Sequence, residues 1–185
     1  MRITLSRLAS ALAVGLLSAV ALAGDAPKSG LQIGDSPSPF DVQDITGPNK
    51  GTTLCYRCQY GSSPVVCVFA RSTGEPLAKL VKALDAEVAR KGGELKSFVV
   101  VLTDDAEATS KALKAMAAAE KIKAVPLTVV EGPAGPPDYK IAKDADVTVM
   151  MWADGEVKAN RAFAKGQLDA QGIAAVTKDA AKIAK

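Results

Sequence analysis

Two cysteines lie three positions apart in Cys55-Tyr56-Arg57-Cys58, and a third, Cys67, follows within an apolar run. Thiols with the C-x-x-C spacing can close a small disulfide ring, exchange disulfides with other thiols, or hold a soft ion such as Cu(I). Arg57 between them can favour a thiolate, which speeds exchange. These residues alone leave three interpretations of the pair open: redox-active, structural, or metal-capturing.

The chain contains no histidine, and this removes several classes of chemistry. Ser-His-Asp and Cys-His nucleophile systems are excluded, as are zinc, iron and copper sites with histidine ligands. Covalent c-type haem needs C-x-x-C-H, but Gln59 follows Cys58. Three cysteines are too few for a four-thiolate zinc site. We therefore predict no metal site and no cofactor, and we take Cys55 and Cys58 as the catalytic candidates.

Cys67 lies in the middle of Val65–Ala70, a continuous run of apolar residues that favour β-structure. It could act as a resolving thiol for the pair. A buried small apolar side chain is the favoured interpretation, because free cysteine is among the most buried residue types. We predict one disulfide, between Cys55 and Cys58, which leaves Cys67 as a buried thiol.

The N-terminus has the pattern of a secretory signal. Arg2 and Arg7 precede the short apolar stretch Leu8–Ala23, which ends in Ala21-Leu22-Ala23. The prediction is a signal peptide at 1–23 and an exported protein, periplasmic or extracellular, with no membrane span after cleavage. Loss of the two arginines lowers the formal net charge from +3 to +1, and we expect no nucleic-acid partner for so weakly charged a chain.

The remaining chain predicts one α/β domain. Residues 24–38 contain Pro27, Gly30, Gly34 and Pro37 and predict an exposed lead-in, so the domain is placed at 39–185. Apolar patterns predict strands at Phe40–Ile45, Val65–Ala70, Phe98–Leu102, Val147–Trp152 and Val157–Phe163, with helices after the second and third strands and at the C-terminus. Strands joined through helices should pair in parallel, and Asp154-Gly155 predicts a final antiparallel hairpin.

Three segments carry a resemblance to a known fold family: Gly34-Asp35-x-Pro37-x-Pro39-Phe40 with Asp44-Ile45-Thr46-Gly47 after it, then Pro64-Val65-Val66-x-Val68-Phe69-Ala70, and last Tyr139-Lys140-Ile141 followed by the strand-Asp154-Gly155-strand hairpin. In this order they resemble the thioredoxin-like superfamily, and within it the peroxiredoxin-like branch. The resemblance implies a central mixed β-sheet with helices on both faces and a C-terminal hairpin plus helix. The segment Cys55–Gly61 also resembles uncharacterised exported thioredoxin-domain proteins of planctomycete bacteria.

The chain departs from that family at the reactive site. The family's reactive cysteine follows the strand equivalent to Val65–Ala70, where this chain has Arg71-Ser72-Thr73-Gly74-Glu75-Pro76 and no thiol. Ala145-Asp146 occupies the place of the family's cis-proline. The pair precedes the strand instead, so we expect it at the opposite end of the sheet, about 20 Å away. The vacated loop, through Arg71, Thr73 and Glu75, is a candidate ligand loop; a surface ion pair is the alternative.

These observations favour thiol–disulfide exchange or redox sensing through Cys55 and Cys58, with protein thiols and disulfides as partners. The alternative is a non-catalytic thioredoxin-fold binding module in which the same pair is a structural disulfide. A peroxiredoxin-type peroxidase is the third interpretation, and the missing thiol at the usual site argues against it.

Overall fold

The structure is a computed structural model that describes residues 25–184. The predicted signal peptide, 1–23, lies outside the described residues. The strands are β1 (Val42–Asp44), β2 (Thr53–Leu54), β3 (Val65–Ala70), β4 (Lys96–Thr103), β5 (Leu127–Glu131), β6 (Ala145–Ala153) and β7 (Glu156–Ala164); the helices are α1 (Tyr56–Tyr60), α2 (Glu75–Arg90), α3 (Ala106–Glu120) and α4 (Ala170–Ile183), with a 3-10 turn at Pro137–Tyr139.

All seven strands form one sheet in the order β2-β1-β5-β4-β3-β6-β7. The central strand β3 pairs in parallel with β4 on one side and antiparallel with β6 on the other. Every residue of β3 is buried, as its unbroken apolar run predicts. The prediction that the three apolar strands are adjacent is confirmed for β4, β3 and β6. The prediction that β7 pairs antiparallel with β6 is also confirmed. The sequence analysis did not assign β5, which extends the sheet parallel to β4.

The three long helices lie on one face of the sheet. Successive right-handed crossovers from β3 to β4 and from β4 to β5 run in the same direction, so both place their helix on the same side. Leu80 and Leu84 of α2, Leu113 of α3 and Val176 of α4 are fully buried in one apolar cluster with the residues of β3 that face them. This face is a conventional aliphatic core.

The opposite face carries an aromatic cluster, covered by α1, the 3-10 turn and the N-terminal segment. Tyr56, Phe69, Phe98, Tyr139 and Trp152 are at most 1% exposed and pack together. The ring centroids of Tyr56 and Phe98 are 5.4 Å apart, and those of Phe98 and Trp152 are 6.2 Å apart. Helical structure is thus present on both faces of the sheet. The three long helices lie on one face, and the short helix α1 and the 3-10 turn lie on the other.

The exposed lead-in predicted for residues 24–38 is wrong for its central part. Ser29 and Leu31 are only 3% and 5% exposed. The Ser29 hydroxyl lies 2.7 Å from the Thr148 hydroxyl, and the Asn160 amide donates to the carbonyls of Ser29 and Leu31. A segment rich in proline and glycine is irregular, but irregular chain can still be buried when its polar groups find partners. This segment closes the aromatic face and belongs to the domain.

The final hairpin turns at Asp154-Gly155, where both residues have positive φ, 54° and 76°. Left-handed conformations at both turn positions are what a two-residue hairpin loop requires, and Asp-Gly supplies them at low cost. The hairpin prediction is confirmed. Within residues 25–184, no helix has the length and apolar character to cross a membrane.

Candidate functional site: the Cys55–Cys58 pair

Cys55 and Cys58 form a disulfide, as the spacing predicts. Their Cα atoms are 5.2 Å apart. Cys55 is the N-cap residue of α1, and Cys58 lies in the first turn of that helix. One helical turn brings residues three apart to the same side, so the local fold itself places the sulfurs together.

The two cysteines have different surroundings. The backbone N–H of Cys58 donates to Sγ of Cys55 at 3.0 Å, and the Cys55 carbonyl accepts from the N–H of Gln59. Cys55 is half-buried, whereas Cys58 is exposed. The pair is therefore open to solvent on the Cys58 side, and Cys55 carries the hydrogen bond that would stabilise a thiolate.

The pair lies at the end of the sheet where β3 begins. Ser62 follows α1, and its carbonyl accepts from the N–H of Asp154 in the β6–β7 turn. The first residue of β3, Val65, is paired with Trp152, whereas its last, Ala70, is paired with Val147 at the other end of β6. The predicted displacement of the pair to the opposite end of the sheet is confirmed.

Arg57 extends away from α1 toward the N-terminal segment. Its Nε donates to the Pro37 carbonyl at 3.0 Å, and a terminal nitrogen lies close to Gly155. The guanidinium therefore joins the pair's helix to the chain that covers the aromatic face. That Arg57 also favours a thiolate stays a prediction.

The buried carboxylate of Asp44 anchors α1. Asp44 is 0% exposed. Its Oδ1 accepts from the N–H of Gly47 at 2.7 Å, and its Oδ2 accepts from the N–H of Asn49 at 2.9 Å and from the hydroxyl of Tyr56 at 2.8 Å. Three donors satisfy a charge that would otherwise be costly to bury. Because Tyr56 directly follows Cys55, this contact fixes the position of the disulfide.

Tyr56 keeps its proton in this arrangement. Burial raises the pKa of its hydroxyl, and the hydrogen bond to Asp44 raises it further. Burial, then the charge of Asp44, likewise raises the pKa of Tyr60. The hydroxyl of Tyr56 therefore remains a donor to the carboxylate through the physiological range.

Gly47 has no room for a side chain beside this anchor. A Cβ at this position would lie 2.6 Å from Oη of Tyr56 and 2.7 Å from Oδ2 of Asp44. Glycine is therefore required here for close approach, so the turn that follows β1 can donate its N–H to the carboxylate.

Sequence reasoning missed Asp44, although one signal was present. In the predicted strand Phe40–Ile45, alternate residues face inward, so Asp44 lies on the same side of the strand as Val42. The alternation therefore places a carboxylate where an apolar residue is expected. A charged residue at an inward position is uncommon and is almost always paired. The pattern could have identified a buried acid, but not its partner Tyr56.

Cys67 is the leftover thiol that the sequence predicts. It is free and 0% exposed, in the middle of β3 on its aromatic face. Burial raises the pKa of its thiol well above the usual value. A thiol that is both inaccessible and reluctant to ionise is a poor nucleophile.

The loop that follows β3 lies at the other end of that strand from the pair, where Arg71 ties it to the chain around the start of β6. The guanidinium donates to the carbonyls of Ala142 and Ala145, each at 2.9 Å, and to that of Pro133. The N–H of Arg71 donates to the carbonyl of Asp146. The contacts of Arg71 are thus structural.

The other two residues of the candidate ligand loop differ from Arg71. Thr73 is half-buried, and Glu75 pairs with Lys79 at 2.7 Å on the surface, where the hydrogen bond from Lys79 lowers the pKa of Glu75. Glu75 also lines a cavity of about 370 Å³ with Leu168 and Ile173, between the first turns of α2 and α4. The structure does not bring this loop near the cysteine pair, and ligand binding by it stays a prediction.

In the part of the chain that the structure describes, no three cysteine, aspartate or glutamate side chains are grouped closely enough to hold a metal ion.

We predict that Tyr56→Phe lowers the free energy of unfolding by about 1–2 kcal/mol, because a buried carboxylate loses one of its donors. The measurement is urea unfolding followed by the fluorescence of Trp152, the only tryptophan. Tyr60→Phe is the matched control, since Tyr60 packs on Tyr56 but does not donate to Asp44. Equal losses in the two variants would contradict the anchoring role of Tyr56.

We also predict that Cys67 resists alkylation in the folded protein and reacts fully in denaturant. After mild reduction, iodoacetamide should modify Cys58 at least about tenfold faster than Cys67, because only Cys58 is exposed. Peptide mass spectrometry at timed intervals measures both rates in one sample. Comparable alkylation rates of Cys58 and Cys67 in the native state would contradict the burial of β3.

No known protein family matches the sequence, and no curated protein does. Solved structures do match. A protein from Bacteroides thetaiotaomicron described as a proposed protein disulfide isomerase superimposes with a TM-score of 0.63 at 12% identity, covering 84% of this chain and 92% of that one. Peroxidoxin BcpB from Mycobacterium tuberculosis gives 0.58 at 15% identity, covering 84% and 99%.

A third match is a proposed thiol:disulfide interchange protein, DsbE, from Chlorobium tepidum, with a TM-score of 0.50 at 22% identity and coverage of 80% of this chain and 99% of that one. At these identities the similarity is one of fold. Together with the mixed seven-stranded sheet, the matches show that this chain has the thioredoxin-like fold.

Proposed function

We propose that this is an exported thiol–disulfide exchange protein in which Cys55 and Cys58 are the exchanging pair. The observation that carries the proposal is a disulfide at the start of α1 with one exposed member. An accessible disulfide next to a donor that can stabilise the released thiolate has both requirements for exchange.

The small size of the ring limits how much the disulfide can stabilise the fold. In the chain-entropy account, a disulfide stabilises a protein more when it closes a longer loop: about 3 kcal/mol for a 15-residue loop, and about 2 kcal/mol for a ring of about four residues. The pair lies within one turn of α1, which Asp44 and the aromatic cluster already hold through Tyr56. A structural disulfide at this position would therefore contribute less than one that closes a longer loop.

The exchange takes place between the cysteine pair and the thiols of a substrate. A substrate thiolate attacks one sulfur of the pair, the Cys55–Cys58 bond breaks, and a mixed disulfide forms while the other cysteine leaves as a thiolate. A second substrate thiol then resolves the mixed disulfide, or the released cysteine reverses the step. Protein thiols and disulfides are accordingly the proposed partners. The disulfide isomerase and interchange functions proposed for two fold neighbours are consistent with this class of chemistry.

A peroxidase function is not proposed, although peroxidoxin BcpB shares the fold. Peroxide reduction requires a reactive thiolate, and the loop from Arg71 to Pro76 contains no cysteine. Arg71 is instead hydrogen-bonded to carbonyls of the neighbouring chain.

One observation favours a second candidate, a non-catalytic binding module. The cavity lined by Glu75, Leu168 and Ile173 lies beside the vacated loop, where a ligand could bind without thiol chemistry. In that case the pair would be a structural disulfide, and its reduction potential separates the two functions.

Export rests on the N-terminal signal pattern. It agrees with a surface disulfide, which persists in oxidising compartments outside the cytoplasm.

We predict that the protein isolated from its native host begins at Gly24, because a signal peptidase should cleave after Ala21-Leu22-Ala23. Intact mass measurement of the native protein identifies the terminus. Full-length protein that retains Met1 in a membrane fraction would contradict export by cleavage.

We predict that the Cys55–Cys58 couple has a reduction potential above about −300 mV, that is, more oxidising. Structural disulfides of secreted proteins typically have potentials below about −300 mV. Equilibration in dithiothreitol redox buffers, followed by acid quenching and mass-shift alkylation, measures it. Cys67→Ala removes the third thiol and serves as the background. A potential below about −300 mV would favour the structural disulfide if, in addition, neither Cys55→Ser nor Cys58→Ser forms a mixed disulfide.

A further inference from the structure

The two sulfurs of the pair are not equivalent targets. Cys58 is exposed, whereas Cys55 is half-buried at the N-cap and accepts the N–H of Cys58 at 3.0 Å. The anchor of Tyr56 on Asp44 holds Cys55 in this position from the adjacent residue. Access and thiolate stabilisation are therefore divided between the two cysteines.

Exchange kinetics depend on both of these properties of a disulfide. An incoming thiolate attacks the sulfur it can reach, and the bond breaks faster when the departing sulfur is the better stabilised thiolate. Cys58 satisfies the first requirement and Cys55 the second, since the N–H at its sulfur becomes a charge-assisted donor once the bond breaks. The same donor stabilises the reduced pair and makes the disulfide more oxidising.

We propose that substrate thiolates enter at Cys58, that Cys55 is the leaving group, and that the oxidised protein therefore acts as an oxidant of dithiols in other proteins. This inference rests on the proposed exchange function and assigns its direction, its substrate class and the role of each sulfur.

The reaction balances without another oxidant. A substrate thiolate attacks Sγ of Cys58, a substrate–Cys58 disulfide forms, and the electron pair of the broken Cys55–Cys58 bond goes to Sγ of Cys55. A second thiolate of the same substrate attacks the substrate sulfur of the mixed disulfide, and Cys58 leaves. The substrate dithiol has then lost two electrons and two protons, and the protein pair has gained two electrons. The protons go to the protein thiols or to solvent.

The substrate must carry two thiols that can reach each other, because the second one completes the transfer. Cys67 cannot substitute for it, since Cys67 is fully buried within β3. A protein with a single thiol can form the mixed disulfide with Cys58 but carries no second thiol to complete the transfer, so the released Cys55 returns it to the starting disulfide.

The chain permits a direct test of the entry point, because trypsin cuts after Lys50, Arg57 and Arg71 and so separates Cys55, in peptide 51–57, from Cys58, in peptide 58–71. The oxidised protein is mixed with glutathione, a monothiol probe. The reaction is quenched with acid, and free thiols are alkylated in denaturant before digestion with trypsin. Peptide 58–71 also contains Cys67, so fragment spectra and a Cys67→Ala sample locate the adduct within it.

We expect glutathione on Cys58 and the alkyl group on Cys55, in excess over the reverse pattern by at least about tenfold. Glutathione on Cys55 with alkylated Cys58 would overturn the assignment of entry and leave the exchange function intact. If a phosphine reduces the pair but glutathione forms no adduct on either cysteine at any concentration, the exchange function itself fails, and this inference fails with it.

The direction is tested by single turnover without oxygen. The oxidised protein is mixed with one equivalent of a reduced dithiol peptide, and we expect most of the peptide to become a disulfide while Cys55 and Cys58 become reduced. The double variant Cys55→Ser/Cys58→Ser is the control and should oxidise none. Recovery of reduced peptide alongside oxidised protein would overturn the oxidant role, even if mixed disulfides on Cys58 are seen.

Discussion

The complete burial of β3 is the constraint on which the architecture depends. Both faces of the strand are covered, by the aliphatic core with α2, α3 and α4 and by the aromatic cluster, so its two ends are the only parts of this segment from which chain can reach the surface. The cysteine pair precedes one end, and the loop beginning at Arg71 follows the other. A strand of this length separates them by about 20 Å. The two regions therefore lie at opposite ends of the sheet and do not contact each other.

The way the aromatic face is closed explains how five residues of helix can hold a disulfide in place. A helix as short as α1 is not stable by itself. It persists here because Tyr56 is buried among aromatic rings and its hydroxyl reaches the carboxylate of Asp44, which is itself satisfied by the turn after β1. Burial makes this arrangement demanding, since a carboxylate without its donors would be strongly destabilising there. Gly47 is part of the same constraint, because any side chain would collide with the hydroxyl.

Much of the fold was predictable, because its main elements carry local signals. Unbroken apolar runs identified β3 and β4, a largely apolar run identified β6, and Asp154-Gly155 identified the hairpin. The disulfide was predictable because three-residue spacing brings the cysteines together in any helical turn. The burial of Ser29 and Leu31 was not, since their partners lie more than a hundred residues away in β6 and β7. The strand β5 was missed for a similar reason: five residues have too weak a pattern until β4 provides the pairing.

The sequence by itself determined which chemistry is available: no histidine, one close pair of cysteines, one cysteine among apolar residues, and no thiol in the loop after Ala70. These are properties of residue type and spacing, which do not depend on how the chain is packed. Only the tertiary structure decided how the pair is presented. The exposure of Cys58, the partial burial of Cys55 and the anchoring of Tyr56 on Asp44 arise from contacts between segments that are separated in the chain. Access to a sulfur and stabilisation of a thiolate depend on these surroundings, and the motif C-x-x-C contains neither.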